Sequence, residues 1–306
     1  MLIICPNPSI DTFAWITRFS SGTTNRFESL QEYPGGKGTH IAFAQRELGQ
    51  DATLLAFWGG RNGSWIKEAC LNKGIDVIGP ELDSENRKCY TIRSQDQELN
   101  NTELLEPGPF ITKSDWQSFL DIFKKEIRNH RLIIASGSWP AGTPESANRL
   151  LSEHCHEAGK DLIIDCNGSQ LKNALKSEFF GIHLNEPEAG EILGTTNPFE
   201  VIEHLKKNVK LVAYTKGKQG LWLYFREELI HACTTIDNVI STVGSGDCLT
   251  AGIAFAIERQ MANSDIATYG VACGAANCLN EELGMLRKTD VESLLPLINI
   301  KNLSHA

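Results

Sequence analysis

The stretch VGSGDCLTAG, residues 243 to 252, places two glycines and a serine directly before a run with the apolar spacing of a helix. Glycine lets backbone N–H groups turn inward, and a helix N-terminus adds unpaired donors and a partial positive charge. Together they predict a cradle for an anion. Asp247 lies in the first turn, where a carboxylate could take a proton from a hydroxyl while the cradle stabilises a phosphoryl group. Taken alone, the stretch fits an ordinary helix N-cap equally well.

The composition is that of a soluble globular protein. The chain has 306 residues, 41% hydrophobic and 22% charged, enough for one large domain. A net charge of −9 with interspersed signs argues against nucleic acid or an anionic membrane as a partner. No apolar run approaches the roughly 20 residues that span a bilayer. The N-terminus lacks the basic region and long apolar core of a secretory signal, so a cytoplasmic location is expected.

The nine cysteines are scattered and form no C-x-x-C pair. Their odd number and spacing argue against a disulfide framework and against a zinc site.

Short apolar runs alternate with stretches of helical spacing along most of the chain. Six runs are predicted as buried strands: 2–5, 53–57, 132–135, 162–164, 182–184 and 211–215. Helices are predicted at 40–48, 63–73, 113–129, 144–158 and 187–193, with a helix-rich region from 249 to 300. This alternation predicts an α/β fold with a largely parallel sheet and helices on both faces.

Polar and glycine-containing segments follow these strands. They are 7–11, 136–138, 165–168, 185–188 and 215–217. Sites in parallel α/β folds lie at the carboxyl ends of the strands, so we expect these segments to converge.

Two segments interrupt the alternation in the N-terminal third. Residues 13–16 with 27–33, and 88–93 with 103–106, have the pattern of β pairs. We therefore predict a single domain over residues 1–306 with a discontinuous β-sheet lid from about 12–34 and 86–107.

Gly35-Gly36-Lys37-Gly38 precedes a predicted helix. Its small residues permit close backbone approach, and Lys37 adds a point charge that suits a phosphate. A glycine turn with a solvent-facing lysine is the alternative. The stretch lacks the G-x-x-x-x-G-K-[ST] order of a Walker A loop.

Two carboxylate segments lie at other predicted strand ends. Asp11 could accept hydrogen bonds from two sugar hydroxyls, or could simply cap a turn. Asn185 and Glu188 could hold the waters around Mg²⁺, or could be a helix N-cap with an acidic first turn.

Taken together and in order, these motifs resemble the ribokinase-like PfkB family of carbohydrate kinases, in its hexose-phosphate branch. The resemblance covers nearly the whole chain and rests on residues 7–11, 35–38 with 41–42, 185–188, and 244–247 with 251–252, supported by 25–26, 86–87, 102–103 with 106–109, and 136–140. It implies a three-layer α/β/α fold with a mostly parallel central sheet and a small β-sheet lid.

The resemblance also implies roles for individual residues. Asp247 would be the general base, and the backbone N–H groups of Gly244, Ser245 and Gly246 would hold the transferring phosphoryl group. The remaining assignments are Lys37, Arg87 and Ser138 on the sugar's phosphate, Asp11, Gly36 and His40 at the sugar, Asn185, Thr215, Gly217, Gly220 and Asn277 on the nucleotide side, and Glu188 near a Mg²⁺ bound by ATP and water. In this family the lid often forms a dimer contact.

Two positions depart from the family pattern. His40 stands where the family usually has Asn, and His183-Leu184 stands where it often has Lys-Pro. Imidazole differs from these side chains in reach and protonation. We therefore expect slower turnover or weaker ATP binding than in a typical member.

The resemblance implies ATP-dependent phosphorylation of a ketohexose phosphate to the bisphosphate. Fructose 1-phosphate is favoured as substrate, with tagatose 6-phosphate close behind and fructose 6-phosphate third. A kinase of a free sugar or nucleoside is an alternative. A non-catalytic sugar-phosphate sensor is another alternative. His40 and His183 leave it open, whereas the intact Asp247 and its glycines argue against it.

Overall fold

A computed structural model describes residues 1–304. Its strands are β1 (Leu2–Cys5), β2 (Ser9–Trp15), β3 (Ser29–Gly35), β4 (Thr53–Ala56), β5 (Trp58–Gly59), β6 (Asp76–Ile78), β7 (Glu81–Leu82), β8 (Arg87–Arg93), β9 (Glu103–Leu105), β10 (Leu132–Ser136), β11 (Asp161–Asp165), β12 (Phe179–Asn185), β13 (Val209–Thr215), β14 (Leu221–Phe225), β15 (Glu228–Cys233) and β16 (Asn299–Asn302). Its α-helices are α1 (Lys37–Glu47), α2 (Gly60–Asn72), α3 (Lys113–Glu126), α4 (Ala147–Glu157), α5 (Gly168–Ala174), α6 (Glu186–Leu193), α7 (Pro198–Leu205), α8 (Ser245–Glu258), α9 (Asn263–Asn277) and α10 (Lys288–Leu294).

A ten-stranded sheet with the order β16-β15-β14-β13-β12-β11-β10-β1-β4-β6 forms the centre of the molecule. The strands from β13 to β6 are parallel, and β14, β15 and β16 join antiparallel to their neighbours. Alternate residues of β1 face opposite sides: Ile3 packs with α1, α8 and α9, whereas Leu2 and Ile4 pack with α3 and α4. The α/β/α layering expected from the sequence is confirmed.

All six predicted strands are present in the central sheet. The short edge strand β6 and the antiparallel strands β14 to β16 were not predicted from the sequence. The region expected to be helix-rich contains α8, α9 and α10 but ends in β16, whose four residues are exposed and pair with β15 through the backbone.

A separate four-stranded sheet has the order β3-β2-β8-β9. Its strands lie on the segments predicted to form β pairs, although they span Ser9–Gly35 and Arg87–Leu105. It adjoins the carboxyl ends of the central strands because only three residues separate β1 from β2, and only Gly36 separates β3 from α1. Two further short strands, β5 and β7, pair with each other.

Local sequence explains how the site-bearing helices begin. Gly244, with a φ of 84°, precedes α8 in the left-handed region that glycine adopts at little cost. At α6, Asn185 and Glu188 form a capping box, and proline occupies the first turn. Within residues 1–304, no helix combines the length and apolar character needed to cross a membrane.

Candidate active site

The ends of β10, β11 and β12 converge on Lys37, in the first turn of α1. Its Nζ lies 3.0 Å from Oδ1 of Asp165 and 4.0 Å from Oε1 of Glu188. Ser136 Oγ donates to Oδ2 of Asp165 at 3.1 Å. The lysine that the sequence analysis assigned to a sugar phosphate therefore forms an ion pair with a buried carboxylate.

Charge pairing sets the ionisation of this group. Burial alone would raise the pKa of Asp165, but Lys37 and His183 outweigh it and hold that pKa well below its usual range. Burial would lower the pKa of Lys37, but Asp165, Asp247 and Glu188 raise it above its usual value. Both groups are therefore charged at neutral pH.

His40 bridges the two carboxylates expected at the sugar. Its Nδ1 is hydrogen-bonded to Oδ2 of Asp247 at 2.8 Å, and its Nε2 lies 3.2 Å from Oδ2 of Asp11. The imidazole is only 3% exposed. Burial would lower the pKa of His40, yet the two carboxylates raise it to about 10. His40 is therefore an imidazolium at neutral pH.

Asp11 is held by its neighbours on both oxygens. Oδ1 accepts a hydrogen bond from Ser9 Oγ at 2.6 Å, and Oδ2 accepts one from the Gly36 N–H at 3.4 Å. A Cβ on Gly35 would lie 2.1 Å from the Asp11 carboxyl carbon, so the backbone of β3 also packs against this carboxylate. A sugar hydroxyl that binds Asp11 would therefore share this carboxylate with Ser9 and the Gly36 N–H.

The predicted anion cradle lies at the N-terminus of α8. The Ser245 N–H donates to the Thr242 carbonyl at 3.2 Å, and the Cys248 N–H donates to the Gly244 carbonyl at 2.9 Å. The donors that helix geometry leaves for a ligand are therefore the N–H groups of Gly246 and Asp247, rather than that of Ser245.

His183, on β12, borders this cradle. A Cβ on Gly246 would lie 3.2 Å from its Cε1. The buried ring is hydrogen-bonded through Nε2 to Thr215 Oγ1 at 3.3 Å, and its Nδ1 lies 3.5 Å from Oδ2 of Asp165. His183, where the resemblance implied a lysine, thus adjoins the expected phosphoryl site.

The other nucleotide-side candidates lie around the ends of β13 and α9. Gly217 and Gly220 flank a short turn after Thr215. Gly220 has a φ of 93°, and a Cβ there would lie 2.2 Å from the Ala232 carbonyl oxygen, so both the backbone conformation and the available space favour glycine. Asn277 Nδ2 donates to the Met285 carbonyl at 2.8 Å, so this side chain anchors the loop after α9.

Asn185 and Glu188 act first as a helix cap. The Asn185 side chain accepts from the Glu188 N–H at 3.0 Å, and Glu188 Oε2 accepts from the Asn185 N–H at 2.9 Å. This leaves Glu188 Oε1, on the side of Lys37. Within residues 1–304, no group of three or more His, Cys, Asp or Glu side chains is arranged so that it could hold a metal ion. The single free oxygen of Glu188, Oε1, fits a Mg²⁺ that is held largely by nucleotide phosphates and water.

Within residues 1–304, neither Arg87 nor Ser138 forms a hydrogen bond or an ion pair with the Asp247 carboxylate, whose partner is His40. Arg87 begins β8, donates to the Glu106 carbonyl at 3.3 Å, and lines a cavity of about 230 Å³ with Asn86 and Pro107. Ser138 is exposed and follows Gly137, which faces the side chain of Lys37. A larger cavity of about 440 Å³ opens at the amino-terminal ends of β11 to β13 and is lined by none of the predicted site residues.

Three residues at the site had no role in the sequence analysis. Asp165 and Ser136 do lie in the strand-end segments that were expected to converge, and Asp165 is fully buried. Gly284, between α9 and α10, packs against both Gly244 and His40. Nothing in the sequence around Gly284 indicates that contact.

Comparison with known proteins identifies the family of this chain and its fold. Residues 7–288 match the pfkB family carbohydrate kinase profile. The 1-phosphofructokinase of Bacillus subtilis (strain 168) is 27% identical over 303 residues, covering 97% of this chain and 98% of that protein. The structure of phosphofructokinase-2 from Escherichia coli in complex with potassium superposes with a TM-score of 0.86 at 20% identity, covering 97% and 98% of the two chains.

A structure described as a possible 1-phosphofructokinase from Thermotoga maritima superposes with a TM-score of 0.87 at 20% identity, covering 99% of both chains. The ribokinase-like fold expected from the sequence is thereby confirmed. The chain belongs to the pfkB family of carbohydrate kinases and is an ATP-dependent sugar kinase.

Proposed function

We propose that this enzyme transfers the γ-phosphoryl group of ATP to a ketohexose phosphate, and that fructose 1-phosphate, giving fructose 1,6-bisphosphate, is its substrate. The observation that carries the proposal is the buried Asp247 carboxylate in the first turn of α8, beside the free N–H groups of Gly246 and Asp247. The similarity to the B. subtilis 1-phosphofructokinase supports the choice of sugar.

The base and the cradle act on the two reacting groups. With Oδ2 of Asp247 held by His40, its Oδ1 accepts the proton of the sugar hydroxyl as that oxygen attacks phosphorus. The helix N-terminus and the charge of Lys37 stabilise the phosphoryl oxygens. When bound with ATP, Mg²⁺ supplies charge neutralisation on the phosphates.

Arg87 supports a second phosphate on the acceptor. Its cavity lies beside the loop of residues 106–108, which Asn7 ties to the start of β2 through an Nδ2 bond to the Pro107 carbonyl at 3.2 Å. Arginine suits bidentate phosphate recognition. This arrangement favours a phosphorylated sugar over a free one.

The test is ADP release with Mg-ATP on fructose 1-phosphate, fructose 6-phosphate, tagatose 6-phosphate, fructose, ribose and adenosine. Asp247→Asn should abolish turnover, whereas Asp265→Asn, at the equivalent first-turn position of α9 and exposed, should not. Turnover confined to another sugar phosphate would replace fructose 1-phosphate as the assigned substrate. Turnover on free sugars would overturn the assignment of Arg87 to a phosphate. Binding of sugar phosphates without turnover would favour a sensor.

We also propose a homodimer formed through the small sheet. Its edge strands β3 and β9 expose Leu30, Leu104 and Leu105, which are 52%, 54% and 59% exposed. Covering such side chains is favourable in water. Light scattering should give twice the monomer mass, and Leu104→Lys with Leu105→Lys should return the monomer.

A further inference from the structure

The side chain of His40 is fixed on every side within the site. Nδ1 contacts Asp247 from α8, Nε2 contacts Asp11 from β2, and Gly284 from the loop after α9 covers the ring. Asp11 and Asp247 lie on opposite sides of the imidazole, so one ring connects the predicted sugar site to the predicted base.

We infer that His40 is a positioning residue that holds Oδ2 of Asp247, leaves Oδ1 as the proton acceptor, and weakens the base for as long as the imidazole carries a proton. The inference rests on the proposed kinase function. We expect turnover to rise at alkaline pH, because the ring then loses its positive charge.

The hydrogen-bond pattern supports a single acceptor oxygen. Within residues 1–304, Asp247 Oδ2 is bonded to His40 and Oδ1 accepts no hydrogen bond. A charge-assisted bond of 2.8 Å orients the carboxylate more firmly than a neutral one. The substrate hydroxyl therefore meets the carboxylate in one orientation.

The charges around His40 support the inference that the imidazole carries a proton and weakens the base. Asp11 and Asp247 face the ring directly, and Lys37, on the same helix, is directed to Asp165. Glu281 and Glu282, in the loop that carries Gly284, raise the pKa of Tyr33, although burial has the largest effect on that pKa. The two carboxylates that contact the ring, Asp11 and Asp247, favour the imidazolium.

An imidazolium in contact with the base has a chemical cost. Positive charge stabilises the ionised carboxylate, and a weaker base accepts a proton less readily in the transition state. An uncharged amide in its place could still donate to Oδ2. His40→Asn should therefore raise kcat at pH 7.5 by about threefold to tenfold, and that advantage should shrink as the pH approaches 10.

The charge state can be measured without turnover. In the full chain labelled on histidine, the ring nitrogens of His40 should report an imidazolium at pH 8 and titrate near pH 10. Asp11→Asn should lower that midpoint by about one unit or more. His40→Asn identifies the signal among the eight histidines, and His40→Gln serves if the first variant does not fold. A midpoint below 7 would overturn the inference.

The kinetic arm compares pH profiles of kcat from pH 6 to 10 for the wild type and His40→Asn. The expected result is a steeper alkaline rise in the wild type with KM for ATP unchanged. Parallel profiles in two active enzymes would overturn this inference alone. Absence of turnover on every sugar would overturn the proposed function, and the base-weakening role with it.

Discussion

Gly284 lies so close to His40 that a Cβ on the glycine would be 2.1 Å from Cγ of the imidazole. The same glycine approaches Gly244, whose own Cβ would lie 2.4 Å from the Gly284 Cα. The loop after α9 therefore depends on two glycines to approach both the anion cradle and the histidine behind the base.

Replacing Gly284 by alanine should destabilise the enzyme and lower its activity. Gly284 has a φ of 64°, and the added methyl group would overlap a buried ring that cannot move without breaking its contacts to Asp247 and Asp11. Gly194→Ala is the matched control, because its φ is 72° but nothing lies within 4 Å of its Cβ position. In urea unfolding, the free energy of unfolding should fall by about 1–3 kcal/mol more for Gly284→Ala than for Gly194→Ala.

A double variant separates overlap from backbone strain. In a His40→Ala background the ring is gone, so Gly284→Ala should cost little more than the control does. Fully additive losses would contradict the ring contact as the cause.

Asp165→Asn should lower the free energy of unfolding, because it disrupts the cluster of charged residues at the ends of β10, β11 and β12. The change removes the partner of Lys37 and a neighbour of His183. Lys37 is 37% exposed and retains access to water, so we expect a loss of about 2 kcal/mol at pH 7. The exposed Asp76→Asn is the control.

The pH dependence of this loss has a definite sign. The pKa of Asp165 is lowered from the ordinary 3.8, so its contribution to stability is present above pH 3.8 and is lost as the pH falls below it. The difference between the wild type and Asp165→Asn should therefore narrow from pH 7 to pH 3. An undiminished difference at pH 3 would show that the carboxylate charge is not its source.

His183→Lys should raise turnover or tighten ATP binding. The ring borders Gly246 in the cradle, and a lysine would bring a permanent charge to that place. We expect a higher kcat or a lower KM for ATP at pH 7.5. The same change at His204, exposed in the last turn of α7, is the control, and no gain at any pH would refute the explanation.

Arg87→Ala should raise KM for the sugar phosphate and leave KM for ATP near its wild-type value. A lost charge-assisted contact to phosphate is worth about 1.5–3 kcal/mol, or roughly tenfold to a hundredfold in KM. Lys88→Ala is the neighbouring control, because Lys88 pairs with Glu32 at 2.6 Å on the exposed side of the sheet. Equal effects of the two substitutions would argue for a general loss of surface charge.

The parallel part of the fold could be predicted because its strands are short apolar runs between amphipathic helices. The β14–β15 hairpin could not, because its two-residue turn is Arg226-Glu227. Both residues have positive φ, 50° and 63°, where glycine or asparagine would be the usual signal. β16 was missed because its four residues are exposed and show no burial pattern.

At the site, the sequence indicated which segments converge but not which side chains pair. Lys37 was expected to bind a substrate phosphate, and its ion pair with Asp165, 128 positions away in the chain, was not predicted. Asp11 was expected to accept hydrogen bonds from sugar hydroxyls, and its bonds from Ser9 and the Gly36 N–H were not predicted. Such pairings depend on the register of neighbouring strands and helices, which local patterns do not specify.

The order of strands in the central sheet has a consequence for how the chain folds. β1 pairs with β10, about 130 residues later, and His40 meets Asp247 across 207 positions. Contacts of such long range form slowly, because a large loop must close before they contribute any stability. We expect partly folded species to gain helix content well before they gain activity. Recovery of turnover during refolding should therefore mark the point at which the whole chain has folded.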